Sequence, residues 1–319
     1  MTRTQHAEMN VTGALLSPLF EPGFFSSGPV HVALVVGGVV AVVSGIVGVF
    51  TVIRGQSFAG HALADIGSAG GSAAVLVGVS TLYGYLALNV VAAAVMELIG
   101  IRRPRGRDLA TGVVLGAALG LAALFLYEDT VSTSTTGATV NVLFGSIFTL
   151  PPGTTTLIAL LGAVSIVAIA VLYRPLLLSS VSYDLAAARG VPVRLVGAGY
   201  LLTLALAVSL SAITIGAILS TALLIGPAAI SLRVTTRTWA AVTVASGVGV
   251  FACWGGTLVA YDSSDWTGGW GWPVSFCIVA VIFVLYFAAG LVARLAPAGP
   301  GRRRSERAEP AGAQRVDAA

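Results

Sequence analysis

The sequence predicts an all-α, polytopic membrane protein with about nine transmembrane helices. Of its 319 residues, 56% are hydrophobic and only 9% are charged, whereas about a quarter of the residues in a soluble domain are charged. The apolar residues form runs of about 20, the length that a helix needs to cross the hydrocarbon core. All 17 cationic residues are Arg, and most lie between or after these runs. The net charge of +4 therefore indicates membrane topology and no nucleic-acid partner.

Nine apolar runs are the expected membrane spans. The boundaries between the second and third spans, and between the sixth and seventh, are poorly defined because almost no polar residue separates them. The predicted spans are Val32–Ile53, Ile66–Leu82, Tyr83–Gly100, Leu109–Leu126, Thr156–Tyr173, Leu195–Ala212, Ile213–Leu232, Trp239–Tyr261 and Pro273–Leu295.

The charged residues between the spans predict the orientation, because short Arg-rich loops stay on the cytoplasmic side. Nine alternating crossings put the N-terminus outside and the C-terminus inside the plasma or inner membrane. Arginines then fall inside, at Arg54, in 102–107, in 174–194, at Arg233 and Arg237, and from Arg294 onward. Four carboxylates fall outside: Glu128, Asp129, Asp262 and Asp265.

The predicted transmembrane domain, residues 30–296, lies between two tails. Residues 1–29 lack the basic start and apolar core of a signal peptide, and we expect a short extracytoplasmic tail. Residues 297–319 are rich in Gly, Pro, Arg, Glu and Ala, which predicts a disordered cytosolic tail. Cys253 and Cys277 lie in different spans, and we expect both to be buried free thiols.

One polar segment, Arg54 to Gly71, interrupts the apolar sequence and contains His61 and Asp65. If the segment is helical, these two side chains lie one turn apart on one face. An imidazole nitrogen beside a carboxylate oxygen suits zinc, manganese or iron. A carboxylate in a membrane costs about 3 kcal/mol on insertion scales, so Asp65 is expected to have a function. The hypothesis is divalent metal transport; the alternative is a His–Asp hydrogen bond that only holds two helices together.

A second feature is the cytosolic segment Arg174 to Arg194. Ser182 or Asp184 is expected to cap a short helix there, which Ala186 and Ala188 favour and Gly190 ends. Such a helix of small residues fits a groove on a partner protein, and the alternative is a plain connecting helix.

Three further patterns concern helix packing and the outer face. Gly226–Pro227 predicts a broken helix beside a translocation path. Tyr127–Gly153 predicts a half-buried or interfacial helix on the outer face. The row Gly112, Gly116 and Gly120 predicts a helix-packing face, or alternatively a dimer interface.

Isolated polar residues have simpler expected roles. Asn89 is expected to hydrogen-bond a neighbouring helix, and Glu97 to pair with the Arg102 loop. Asp262, Asp265 and Trp266 are expected in a solvated outer loop that an external protein could contact.

Three blocks in order resemble the membrane permeases of ATP-binding-cassette importers for zinc, manganese and iron. They are Arg54–Gly71, Asp184–Val191 and Gly216–Ala229. The resemblance covers about Gly37 to Leu291 and implies the fold of a type II importer permease. It also implies a homodimer, an ATPase docked on the Asp184–Gly190 helix, and an external metal-binding protein. The metal would be the transported substrate, with no permanently bound cofactor. The family usually has Asp before His, and this chain has His61 before Asp65.

The chain is not expected to be an enzyme. It contains no Lys and therefore no phosphate-binding loop of the type that ends in Gly-Lys-Ser or Gly-Lys-Thr. ATP would be hydrolysed by a separate subunit. The rival interpretations are a permease for chelated metal, a secondary carrier driven by an ion gradient, and a membrane scaffold or sensor.

Overall fold

The computed structural model describes Phe24 and residues 27–100, 104–133, 136–145, 147–148, 150, 152–266 and 271–295. Within these residues the chain forms eleven α-helices and no strand. They are α1 Gly28–Ile53, α2 Ser57–Leu76, α3 Thr81–Gly100, α4 Pro104–Thr133, α5 Gly137–Phe144, α6 Pro152–Val181, α7 Tyr183–Ala188, α8 Val193–Ile215, α9 Ala217–Val234, α10 Thr238–Trp266 and α11 Val274–Leu295.

Eight of the described helices are long and apolar enough to cross a membrane, which confirms the polytopic all-α prediction. The most apolar part of α8 is 72% buried, whereas that of α11 is 22% buried. We therefore place α8 at the centre of the bundle and α11 at its lipid-facing periphery.

Helix α2 is not among these eight, and its composition is unlike theirs. Its 20 residues extend over about 30 Å, but they are mostly Gly, Ala and Ser. Every side chain from Ala62 to Ser72 is buried, so α2 contacts protein on all sides and needs no lipid-compatible face. Near its end, Val75 packs in a cluster with Val142 of α5, the helix predicted on the outer face.

Contacts between helix ends define the two sides of the bundle. Arg54 at the end of α1 donates a hydrogen bond to Ser179 near the end of α6. Phe24, before α1, stacks edge-on against Tyr261 near the end of α10, with ring centroids 5.3 Å apart. The side that carries Arg54 also carries the segment between α6 and α8, and the rule for cationic loops predicts that this side is cytoplasmic.

Glycines bring several helices into backbone contact. A Cβ on Gly70 would lie 2.2 Å from the carbonyl oxygen of Gly84, so only glycine permits this approach of α2 to α3. The row Gly112, Gly116 and Gly120 behaves differently, because a Cβ there would meet nothing within 4 Å. The prediction that this row packs helices within the chain is wrong, and the row faces away from the described residues.

Several predicted spans differ in their ends from the helices of the structure, and two of these differences affect the arrangement of the site. The polar segment that precedes Ile66 is the first half of α2, because small buried residues form a helix without an apolar run. The division between α8 and α9 lies at Gly216, with φ +87° and ψ 159°, which is a conformation that only glycine adopts readily.

The predicted break at Gly226–Pro227 is wrong, because α9 continues through both residues. Pro227 lacks the amide that would bond to residue 223, but the rest of the helix is intact. Gly226 has a packing role, since a Cβ there would lie 2.4 Å from Cγ2 of Ile282 on α11.

Two isolated polar residues and both cysteines lie in the bundle. Asn89 donates from Nδ2 to Oγ of Ser209 on α8 at 2.9 Å, which confirms its predicted bond to a neighbouring helix. Asp262 is buried within α10, so the predicted solvated loop is wrong there. Cys253 and Cys277 are buried free thiols, as predicted.

Three other sequence predictions are tested only in part. Glu97 lies against the backbone of Gly197 on α8, and its predicted partner Arg102 lies outside the described residues. Asp265 and Trp266 belong to α10, so the predicted loop is also wrong for their backbone, and their side chains are not described. The predicted tails lie outside the described residues except for Phe24 and residues 27–29.

Candidate metal site and docking helix

The turn between α1 and α2 places the polar segment inside the bundle. Arg54 follows α1, and Gly55 has φ +63°, a left-handed conformation that reverses the chain at little cost in glycine. The Gln56 amide closes the turn by donating to the Thr51 carbonyl oxygen at 2.9 Å. Helix α2 then begins at Ser57, and the predicted helical placement of His61 and Asp65 is confirmed.

The geometry of His61 and Asp65 matches that of two ligands of one ion. Nε2 of His61 and Oδ2 of Asp65 are 3.4 Å apart. Two ligands with bonds of about 2.0–2.1 Å and a tetrahedral angle are separated by about 3.3 Å. The separation of the two atoms is therefore compatible with both binding one divalent cation. Because both residues are on α2, the pair does not itself join two helices.

The two side chains differ in exposure. The His61 side chain is 49% exposed and the Asp65 side chain is 12% exposed, so the pair points from the bundle interior toward an open surface. Among the residues that the structure describes, no group of three or more His, Cys, Asp or Glu could hold a metal. One chain thus supplies two ligands from such residues, whereas protein zinc sites use three or four.

Two serines continue the face of α2 that carries the pair, and sequence reasoning missed them. Ser68 and Ser72 follow at three and seven residues after Asp65, a spacing that lies on one helical face. Ser68 Oγ donates to the Asp65 carbonyl oxygen at 2.6 Å, and Ser72 Oγ donates to the Ser68 carbonyl oxygen at 2.7 Å. Because each hydroxyl hydrogen bonds to the helix backbone, the oxygen retains acceptor capacity.

Helix α7 confirms the predicted short helix on the cytoplasmic side. Ser182 Oγ accepts a hydrogen bond from the Leu185 amide at 3.3 Å, and Gly190 with φ +77° follows the helix end. Ala186 is fully buried, so its predicted place on an exposed docking surface is wrong. The burial follows from the contacts of α7 with α6 and α8.

The exposed surface of α7 is formed by neighbours of Ala186. Asp184 and Ala188 are exposed, as is Gly190 beyond the helix. Leu185, which sequence reasoning missed, is 45% exposed.

A sequence profile of the ABC 3 transport family matches residues 29–292, which include His61, Asp65, α7 and α9. The chain belongs to this family. A curated relative, the manganese transport system membrane protein MntC of Listeria innocua serovar 6a, is 26% identical over 162 residues. This match covers 51% of the present chain and 56% of the Listeria protein.

Two solved structures share the fold of this ABC 3 family member. PsaBC from Streptococcus pneumoniae in complex with Fab gives a TM-score of 0.73 at 24% identity, covering 89% of this chain and 97% of that one. An inward-facing putative metal-chelate type ABC transporter gives a TM-score of 0.66 at 18% identity, covering 91% and 92% of the two chains. At these identities the likeness shows the architecture alone.

In this ABC 3 chain, α9 lies beside the start of α2, next to His61. A Cβ on Gly60 would lie 2.9 Å from Cδ2 of Leu224, so α9 contacts α2 one residue before His61. Gly226 lies against α11. A pathway role for Gly226 and Pro227 stays a prediction.

Proposed function

We propose that this chain is the membrane-spanning subunit of an ATP-driven importer for divalent transition-metal ions, with zinc or manganese as the substrate. His61 and Asp65 form the resting place of the ion on its way through the membrane. The observation that carries the proposal is the 3.4 Å separation of Nε2 and Oδ2 in a chain of the ABC 3 transport family. The name of the Listeria relative supports a manganese or related substrate.

A pair of ligands suits transport better than a complete site. An ion must bind well enough to enter and weakly enough to leave, and a closed four-ligand cage would hold it too long. Half-exposed His61 can rotate to meet an arriving ion, while the buried Asp65 keeps its carboxylate oxygens at a fixed place.

A second copy of the chain is part of the proposal. Two copies would each supply one nitrogen–oxygen pair along the path, and these donor types suit zinc and manganese. The open row of Gly112, Gly116 and Gly120 offers a surface on which another membrane helix can pack closely.

Two further partners, an ATPase and a metal-binding protein, belong to the proposal. It has no Lys and hence no phosphate-binding loop, so a separate ATPase would bind the exposed surface of α7. An extracytoplasmic metal-binding protein would deliver the ion on the side of α5.

The test is uptake by proteoliposomes that contain the chain with its ATPase and binding protein. ATP-dependent accumulation of zinc, manganese and ferrous iron is compared between wild type and the double variant H61A/D65A. We expect uptake to be lost in the double variant and kept in F58A, a change of an exposed side chain on the first turn of α2 that has no ligand atom. Unchanged uptake in H61A/D65A would remove the pair from the path. Uptake that persists without the ATPase but needs a proton gradient would instead indicate a secondary carrier.

A further inference from the structure

We infer that Arg54 is the mechanical link between the ATPase docking helix α7 and the helix that carries the metal pair. The inference rests on the proposed function, and it assigns a positioning role to a residue that belongs neither to the His61–Asp65 pair nor to α7. It is based on the contacts of the Arg54 junction, which we define as Thr51, Arg54, Ser179, Ser180 and Tyr200.

The guanidinium of Arg54 joins α1 to the end of α6. Nη1 lies 3.0 Å from Oγ of Ser179 and 3.4 Å from Oγ of Ser180. Both serine hydroxyls donate their own hydrogen to the Leu176 carbonyl oxygen. The serine oxygens therefore act as acceptors for Arg54, and the direction of these bonds is fixed by the helix backbone.

The same guanidinium stacks on α8. Its Cζ lies 5.1 Å from the ring centroid of Tyr200, within the range of a cation–π interaction. The Tyr200 hydroxyl donates to Oγ1 of Thr51 at 2.8 Å, and Thr51 donates to the Val47 carbonyl oxygen at 2.9 Å. The ring is thus held by α1 itself, so α1, α6 and α8 meet at one arginine.

The position of the junction along the chain determines what it can transmit. Ser180 lies two residues before Ser182, which caps α7, and α8 begins just after α7. On the other side, the turn through Gly55 is closed by a backbone bond, and His61 lies seven residues after Arg54. A displacement of α7 by a docked ATPase therefore moves the end of α6, Arg54 and the first turns of α2 together.

Arginine suits this role better than lysine. A planar guanidinium donates to two hydroxyls in one plane while its face stacks on an aromatic ring. A lysine ammonium retains the charge but cannot make both sets of contacts in a fixed geometry. The conservative variant R54K keeps the positive charge but loses the fixed contacts, so it separates the effect of the contacts from the effect of the charge.

The experiment measures metal imported and ATP hydrolysed in the same proteoliposomes, with chain, ATPase and binding protein present. We expect R54Q to lower the number of ions imported per ATP at least tenfold while ATPase association persists. R54K should give an intermediate ratio, and S179A/S180A should lower it severalfold with Arg54 intact. The control R237Q removes an exposed arginine on the same side and should match wild type.

A spectroscopic readout separates linkage from general loss of stability. Spin labels at F58C and V181C, both exposed positions, are placed in a C253A/C277A background. When Arg54 is present, we expect one narrow distribution of the distance between the two labels, both with and without ATP. In R54Q we expect ATP to broaden this distribution. A wild-type ratio of ions to ATP in R54Q, or in S179A/S180A if R54Q fails to assemble, would overturn the inference. Absence of ATP-dependent uptake in the wild type would instead overturn the proposed function.

Discussion

Asn89 of α3 lies directly against Gly67 of α2. A Cβ added at Gly67 would be 2.7 Å from Nδ2 and 2.8 Å from Oδ1 of Asn89, and 2.9 Å from Cδ1 of Tyr85. Because Asn89 is fully buried and bonded to Ser209, it cannot withdraw without losing that bond. The absence of a side chain at position 67 thus sets the distance between α2 and α3.

The variant G67A is expected to lower stability by about 1–3 kcal/mol, the usual cost of overpacking a core. Thermal unfolding of the purified chain in lipid nanodiscs is the measurement. G247A on α10 is the matched control, because a Cβ there meets nothing within 4 Å, and alanine is the better helix former. A melting temperature of G67A equal to that of G247A would contradict the packing described.

Exchange of the two ligands tests whether their order matters. The variant H61D/D65H keeps one nitrogen and one oxygen on adjacent turns of α2, so we expect ATP-driven uptake to persist with an altered ratio of zinc to manganese. Uptake of both ions by proteoliposomes is the measurement, with H61A/D65A as the inactive reference. Loss of uptake as complete as in that reference, in a chain that assembles with its ATPase, would show that each position requires its own residue.

The docking surface of α7 is tested by two adjacent substitutions. L185D places a charge on an exposed leucine, and we expect the chain to fold normally but to lose co-purification of the ATPase at least tenfold, because the contact would bury an unpaired carboxylate. A187S, at an exposed neighbouring position, is the control and should bind normally. Normal association of L185D would exclude Leu185 as the anchor.

The connection between α8 and α9 depends on Gly216. A Cβ there would lie 2.1 Å from the Leu143 carbonyl oxygen, and φ of +87° is itself strained for other residues. We expect G216A to cost about 2–6 kcal/mol, the sum of backbone strain and overpacking. Thermal unfolding measures this cost.

G78A provides the comparison for strain alone. Gly78 has φ +76°, but a Cβ there meets nothing, so we expect a cost of about 1–2 kcal/mol. Equal costs at both positions would mean that the contact with α5 contributes nothing.

The sequence alone predicted the helices that face lipid, because a long apolar run has few other interpretations. It also predicted the His61–Asp65 face, since spacing along a helix is a local property. It misplaced the start of α2, because a helix surrounded by protein carries no apolar run. The burial of Ala186 and the exposure of Leu185 depend on how α7 lies against α6 and α8, which no local pattern records.

The packing glycines illustrate the same limit. Gly70 and Gly84 meet across the consecutive helices α2 and α3, although they belong to no regular row of glycines. The regular row Gly112, Gly116 and Gly120 on α4 instead faces outward. Regular spacing identifies a surface on one helix, but the partner of that surface is a property of the assembled bundle.

The composition of α2 also has a consequence for biogenesis. A segment made chiefly of Gly, Ala and Ser, with an acidic side chain at Asp65, gains little by partitioning into lipid alone. During synthesis we expect α2 to insert into the bilayer together with its more apolar neighbours α1 and α3, as one unit. Substitutions that lower the hydropathy of α1 or α3 should therefore prevent the insertion of α2. His61 and Asp65 would then lie at the membrane surface and not within the bundle.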